Sequence, residues 1–178
     1  MPTRAHSTLP PPSRITAALL SCAAALLVLA GCSGAPSASV GDAADVDVVY
    51  SGKTLPFAVT VTSFEKAPAD VQDGFAGDDT IYFANVDFTF TGEKGTKLPP
   101  VYGNVYAALD DGSFASATFT GLPECTGNPE RATDWLADLS AGETVSVCVP
   151  VASADGKEVV GVYVGSGDVN DGGTVWKP

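Results

Sequence analysis

The chain has 178 residues and a mass of 18.0 kDa, with 9 basic against 21 acidic side chains and a sequence pI near 4.1. That length suits about one domain, and 45% apolar with 8% aromatic residues suits a folding chain rather than an acidic disordered tail. A formal charge of −12 argues against a nucleic-acid binder, which needs a basic footprint to displace counterions, and against attraction to anionic lipid.

Residues 1–14 form a polar start with Arg4, Arg14 and the proline run Pro10, Pro11 and Pro12. Ile15 to Ala30 then runs apolar for 16 residues, about 24 Å as a helix, which is short of a bilayer core of about 30 Å. The next charge is Asp42, so no basic stop-transfer cluster follows. The segment reads as the apolar region of a signal peptide, residues 1–31. Its removal leaves 147 residues with 7 bases and 21 acids, a charge of −14, and no histidine, because His6 leaves with it. Most acid–base and nucleophilic sites are built on histidine.

Leu29-Ala30-Gly31-Cys32 resembles the lipobox of bacterial lipoproteins. The resemblance implies cleavage between Gly31 and Cys32 and a diacylglycerol on the Cys32 thiol. Such a protein is expected on the outer face of the cell membrane. Each buried CH₂ of an acyl chain contributes about 0.8 kcal/mol, so two or three chains anchor firmly. Cys22 lies in the apolar segment and departs with it.

Ser33 to Asp45 is rich in Ser, Ala, Gly and Pro and holds no large aromatic residue. Residues 32–50 read as an acidic flexible tether about 20–25 Å long as a coil. Folded structure is expected to begin between Val46 and Leu55, with the domain over 51–178.

From residue 32 onward 20 valines and 8 phenylalanines outnumber 6 leucines and one isoleucine, a composition for pleated sheets. Phe57, Val59 and Val61 alternate with Thr60 and Thr62. Tyr82, Ala84, Val86, Phe88 and Phe90 line one face of a long strand over 80–91, and Ile81 and Phe83 break the pattern where both faces are expected to be covered. Val101, Val105, Ala107 and Leu109 line the next strand, with Tyr102, Asn104, Tyr106 and Ala108 opposite. Asp110-Asp111-Gly112 signals a hairpin into Phe114 to Phe119. Asn128-Pro129-Glu130 opens either a short helix through Leu139, with Trp135 on its inner face, or a loop across the sandwich edge. Ala141-Gly142-Glu143 turns into Val145, Val147, Val149 and Val151. Asp155-Gly156-Lys157 then turns into Val160, Val162 and Val164, with Tyr163 opposite. The whole reads as an all-β, immunoglobulin-like sandwich of about seven strands with one short helical or loop insertion.

Two cysteines remain in the exported part, Cys125 and Cys148, and an exported pair of this kind is expected to form a structural disulfide. A redox pair would need a CxxC spacing, which is absent.

The early strand Phe57 to Phe64, the long strand Ile81 to Thr91 after an acidic turn, and the Leu139…Gly142-Glu143 turn before a Val-rich strand with Cys148 together carry a resemblance. Over residues 53–166 the chain resembles the Ig-like lipoprotein domain of unknown function of Gram-positive, especially actinobacterial, envelope proteins. That family is related to a small secreted immunogenic antigen with an immunoglobulin-like sandwich. The resemblance implies an extracytoplasmic accessory or binding domain and carries over no catalytic residue.

No cofactor is expected. Asp110, Asp111, Asp168 and Asp171 are weak calcium candidates, since none matches the spacing of a calcium loop and adjacent acids commonly sit in exposed turns. Tyr102, Tyr106 and Tyr163 are candidate contact residues for an envelope protein or cell-wall ligand, with peripheral core as the alternative. The expected function is a non-catalytic binding or adaptor module held to the membrane. The alternatives are a structural or assembly component, or a histidine-free hydrolase with two facing carboxylates. An exposed apolar patch would favour the adaptor, and a uniformly polar acidic surface the structural component.

Overall fold

A computed structural model describes residues 34–50, 52–74, 79–93, 101–116, 122, 124–125, 142–166 and 172–178. Its strands are β1 (Ser37–Ser39), β2 (Ala43–Tyr50), β3 (Lys53–Lys66), β4 (Ile81–Phe90), β5 (Val105–Leu109), β6 (Phe114–Ser116), β7 (Thr144–Ala152), β8 (Val159–Val164) and β9 (Thr174–Lys177). They form a five-stranded sheet, β1-β9-β8-β5-β6, and a four-stranded sheet, β2-β3-β4-β7. This is an immunoglobulin-like β-sandwich with one short helix, α1 (Ala69–Asp73), between β3 and β4. The segment 128–139, where a helix or loop was expected, lies outside the described residues.

Period-two alternation turns one side chain in two toward the other sheet. Phe57, Val59 and Val61 of β3, Ala84, Val86, Phe88 and Phe90 of β4, Val147, Val149 and Val151 of β7, and Val105, Ala107, Val162, Val164 and Trp176 share one core. Phe57 meets Phe88 edge-on at 5.9 Å and Phe90 at 5.4 Å, favourable aromatic geometries. Trp176 is fully buried, and its Nε1 donates to the Asp42 carbonyl at 2.9 Å.

Ile81 and Phe83 face the other way, into a smaller cluster with Ala67, Val71 and Ala152. Both faces of β4 are therefore covered at its start, and α1 supplies the cover through Val71. Gln72 of α1 locks it there. Its Nε2 donates to the carbonyls of Ile81 (2.6 Å) and Ala67 (3.1 Å), and its Oε1 accepts from the Ile81 amide at 3.0 Å. A side-chain amide thus satisfies backbone groups beyond the end of the β3–β4 ladder.

Three local expectations are corrected. The stretch 32–50 expected as a tether contains β1 and the whole of β2, so the first described strand begins at Ser37. Asp45 and Asp47 lie on the exposed side of β2 while Val46 and Val48 are buried in the core, a half-buried edge strand whose outward acids discourage edge pairing. Residues 101–104 form a 3₁₀ turn rather than the start of a strand. Val160 is 37% exposed, because the β5–β8 register shifts between Ala108 and Leu109. Leu109 pairs with Val159 and Ala108 with Gly161, so a bulge leaves Val160 unpaired and sends Val159 to the core instead.

Candidate functional site

Two tight turns meet at one end of the sandwich. In the turn that carries the chain from β7 in one sheet to β8 in the other, Ala154 bridges Lys157, and the central residues Asp155 (φ 54°) and Gly156 (φ 73°) both take the left-handed backbone that a tight turn of this hand requires. In the β5–β6 hairpin Gly112 (φ 83°) turns the chain, and the Gly112 amide bonds the Leu109 carbonyl at 3.0 Å. The Asp110 amide donates to the Glu158 carbonyl at 3.0 Å, joining the two turns.

Lys157 Nζ lies 2.8 Å from Asp111 Oδ2 and 3.4 Å from the Ser113 hydroxyl. The other Asp111 oxygen accepts from the Ser113 amide (2.9 Å) and hydroxyl (2.5 Å). These hydrogen bonds, led by that from Lys157, hold the Asp111 carboxyl well below the usual carboxylate range, and the same pairing raises Lys157. Both Asp111 oxygens are thereby engaged by protein donors. Asp110 is exposed beside it, and Asp168 and Asp171 lie outside the described residues. Among the described residues no three His, Cys, Asp or Glu side chains group as metal ligands do.

Beside this tie a cleft of about 300 Å³ opens between the sheets. Thr80 and Tyr82 from the β4 side and Ser153 after β7 form one wall; Gly156, Lys157, Glu158 and Val159 form the other. The Tyr82 ring is stacked on Phe64, with centroids 4.9 Å apart and 16° between planes. Ser153 Oγ accepts from the Thr80 amide at 2.8 Å and donates to Asp79 at 3.3 Å, and the Ser153 amide bonds the Thr80 carbonyl at 3.0 Å. Hydroxyls, one ammonium, one carboxylate and one aromatic ring line a space at the lower end of ligand-pocket size. That set offers hydrogen-bond donors and acceptors to a polar group. Ser153 has a carboxylate partner and no imidazole between them, so the general base of a serine nucleophile is missing.

Two of the three tyrosines have described side chains. Tyr163 is fully buried, against Phe114 (centroids 4.0 Å apart, 10°) and Tyr106 (5.9 Å), which corrects its candidacy as a binding residue. Its face of the sheet is covered by Ala35, Phe114 and Val175. Gly165 and Gly173 are there because of it: a Cβ on either would overlap the Tyr163 phenol. Tyr106 is half-buried, and burial pushes its phenol pKa up. Tyr102 sits in the 3₁₀ turn, its side chain outside the described residues.

Cys125 and Cys148 form the expected disulfide, with Cα atoms 5.3 Å apart and 23 positions of separation. Both are buried, so the bridge fastens the segment at Cys125 onto the face of β7 away from the main core. Gly31 and Cys32 lie outside the described residues. The cleft residues Thr80, Ser153 and Glu158 escaped the sequence-level search. Only the Asp155-Gly156 turn signal pointed near them, and it gave no sign that the β4 start packs beside it.

No family model matches the chain, and no curated protein matches it. A solved structure, that of the secreted protein MPT63 from Mycobacterium tuberculosis, is similar over 81% of this chain and 98% of that chain, with a TM-score of 0.53 and 12% identity. At that identity the likeness is one of fold: the sandwich of this chain is similar in architecture to that of a secreted mycobacterial protein.

Proposed function

We propose that this chain is an exported lipoprotein, anchored by a diacylglycerol on Cys32, whose sandwich is a non-catalytic binding module of the cell envelope. The observation that carries the reading is the Cys125–Cys148 bridge in a domain preceded by a lipobox-like Leu29-Ala30-Gly31-Cys32. Disulfides form and persist in oxidising compartments outside the cytoplasm, which is where such a leader delivers its cargo. The fold likeness to a secreted protein supports the same compartment.

The binding surface is the cleft between Tyr82, Ser153, Lys157 and Glu158, and its hydrogen-bonding lining suits a polar envelope component. Two experiments test the reading. Labelled palmitate enters the wild-type protein and not Cys32→Ser; equal labelling, or none in either, rejects the anchor. Soluble cell-wall fragments added to the domain shift the amide resonances of Ser153, Gly156 and Glu158; shifts elsewhere or none reject the cleft.

One observation favours a second reading, a spacer or assembly component. Among the described residues only Val49 (40%) and Val160 (37%) are large, apolar and exposed, so no wide apolar patch is offered to a protein partner.

A further inference from the structure

The strand register bears on which end of the sandwich an acylated Cys32 would hold to the bilayer. The chain is fastened to the domain from Ala35 onward. Ala35 packs beside Tyr163 and Val175, the Pro36 carbonyl accepts from the Val175 amide at 2.8 Å, and β1 pairs in parallel with β9. Only three residue steps separate Cys32 from Ala35, and an extended chain covers at most about 3.6 Å per residue. The lipid-bearing residue therefore lies within about 11 Å of the sandwich, half or less of the reach of a free stalk.

The chain enters β1 at the end where β9 begins and β8 finishes, since Ser37 pairs with Val175 and Val164 with Thr174. The β2–β3 hairpin projects from that same end. Phe57 pairs with Phe90, the last residue of β4, so Lys53 to Pro56 run past the β4 ladder and Tyr50 pairs with Lys53 at the tip. Gly172, just before β9, lies against β2: a Cβ there would stand 3.6 Å from the Asp47 Cβ. Chain entry and hairpin are thus neighbours. The tip carries Val49, at 40% the most exposed large apolar side chain among the described residues, and the exposed cation Lys53. Val49 pairs with Thr54 on one face of the tip and Lys53 with Tyr50 on the other; an apolar side chain and an ammonium at one tip suit the headgroup layer, where the ammonium meets phosphate and the aliphatic parts leave water. The opposite end holds Asp79, Asp110, Asp111, Asp155 and Glu158.

We propose that the β2–β3 hairpin tip around Val49 and Lys53 rests in the phospholipid headgroup layer, so that the β7–β8 cleft faces away from the membrane. This rests on the lipid anchor proposed above. The acylated protein, its N-terminal lipid verified by mass, is placed in vesicles of phosphatidylglycerol and phosphatidylethanolamine containing a headgroup-spin-labelled lipid. A fluorophore is attached at Thr54→Cys or, at the far end, at Glu158→Cys; both positions are exposed. The label at 54 is expected to be quenched several-fold more than the label at 158. A Gly/Ser spacer of about ten residues after Cys32, adding about 17 Å of coil, is expected to erase that difference. Equal quenching on verified lipidated protein, or stronger quenching at 158, overturns this inference alone. A missing lipid overturns the anchor and this inference with it.

Discussion

Tyr163 shows how a residue type misleads without its neighbours. An aromatic opposite a valine-lined face reads as a surface contact, yet Gly165, two residues on, and Gly173 vacate the space into which its phenol fits. Gly165→Ala is expected to destabilise the domain by about 1–3 kcal/mol through overpacking, seen as a lower Tm. Combined with Tyr163→Phe, which removes the overlapped oxygen, the loss is expected to be less than the sum of the two single losses. Additive losses would mean that the ring and the glycine do not meet.

Lys157 and Asp111 make a prediction in pH. Asp111 is held below its ordinary pKa, so its contribution is present above about pH 4 and fades as pH falls through the lower folded value. Lys157 is raised, so its part persists below its unfolded pKa near 10.4 and is lost as pH climbs past the folded one. The pair is exposed and the effect small. The Tm gap between wild type and Asp111→Asn is expected to narrow from pH 6 toward pH 2; a constant gap would show that the carboxylate charge is not what the pairing stabilises.

At the scale of elements, the disulfide is the fastening most readily removed. It joins cysteines 23 positions apart in sequence, a loop for which closure entropy gives about 3.5 kcal/mol. Cys125→Ala with Cys148→Ala is expected to lower the oxidised protein's Tm to that of the reduced wild type. An unchanged melting curve would show that the bridge constrains nothing.

β1 and β2 carry the second element-scale prediction. Deleting residues 34–40 removes the strand beside β9 and the packing of Ala38 and Val40 on the core. Tm is expected to fall by about 5 °C or more. A true tether could be deleted without effect, and that result would restore the stalk.

For the whole molecule, the consequence of the topology is an axis. Chain entry, the β2–β3 tip and the β9 start occupy one end; the β5–β6 hairpin, the β7-to-β8 turn, α1 and the cleft occupy the other. Under the proposed anchor the first end would lie at the membrane and the second would face away from it.

Strand identity, inward and outward faces and turn positions were legible because each is local. Val59, Val61, Val86, Phe88, Val147 and Val149 announce their face by alternation alone, and Gly112, Gly142 and Gly156 announce turns by needing positive φ. The cysteine pair was legible because only two candidates remained. Even β2 is partly visible in Asp45-Val46-Asp47-Val48, where the alternation is a stronger signal than the acidic composition that reads as a linker. Pairing partners, the bulge that expels Val160, the burial of Tyr163 and the meeting of Ser153 with Thr80 were decided only in three dimensions. Each depends on residues tens of positions apart arriving at one place, and a period-two pattern states which face a side chain takes without stating what will cover it.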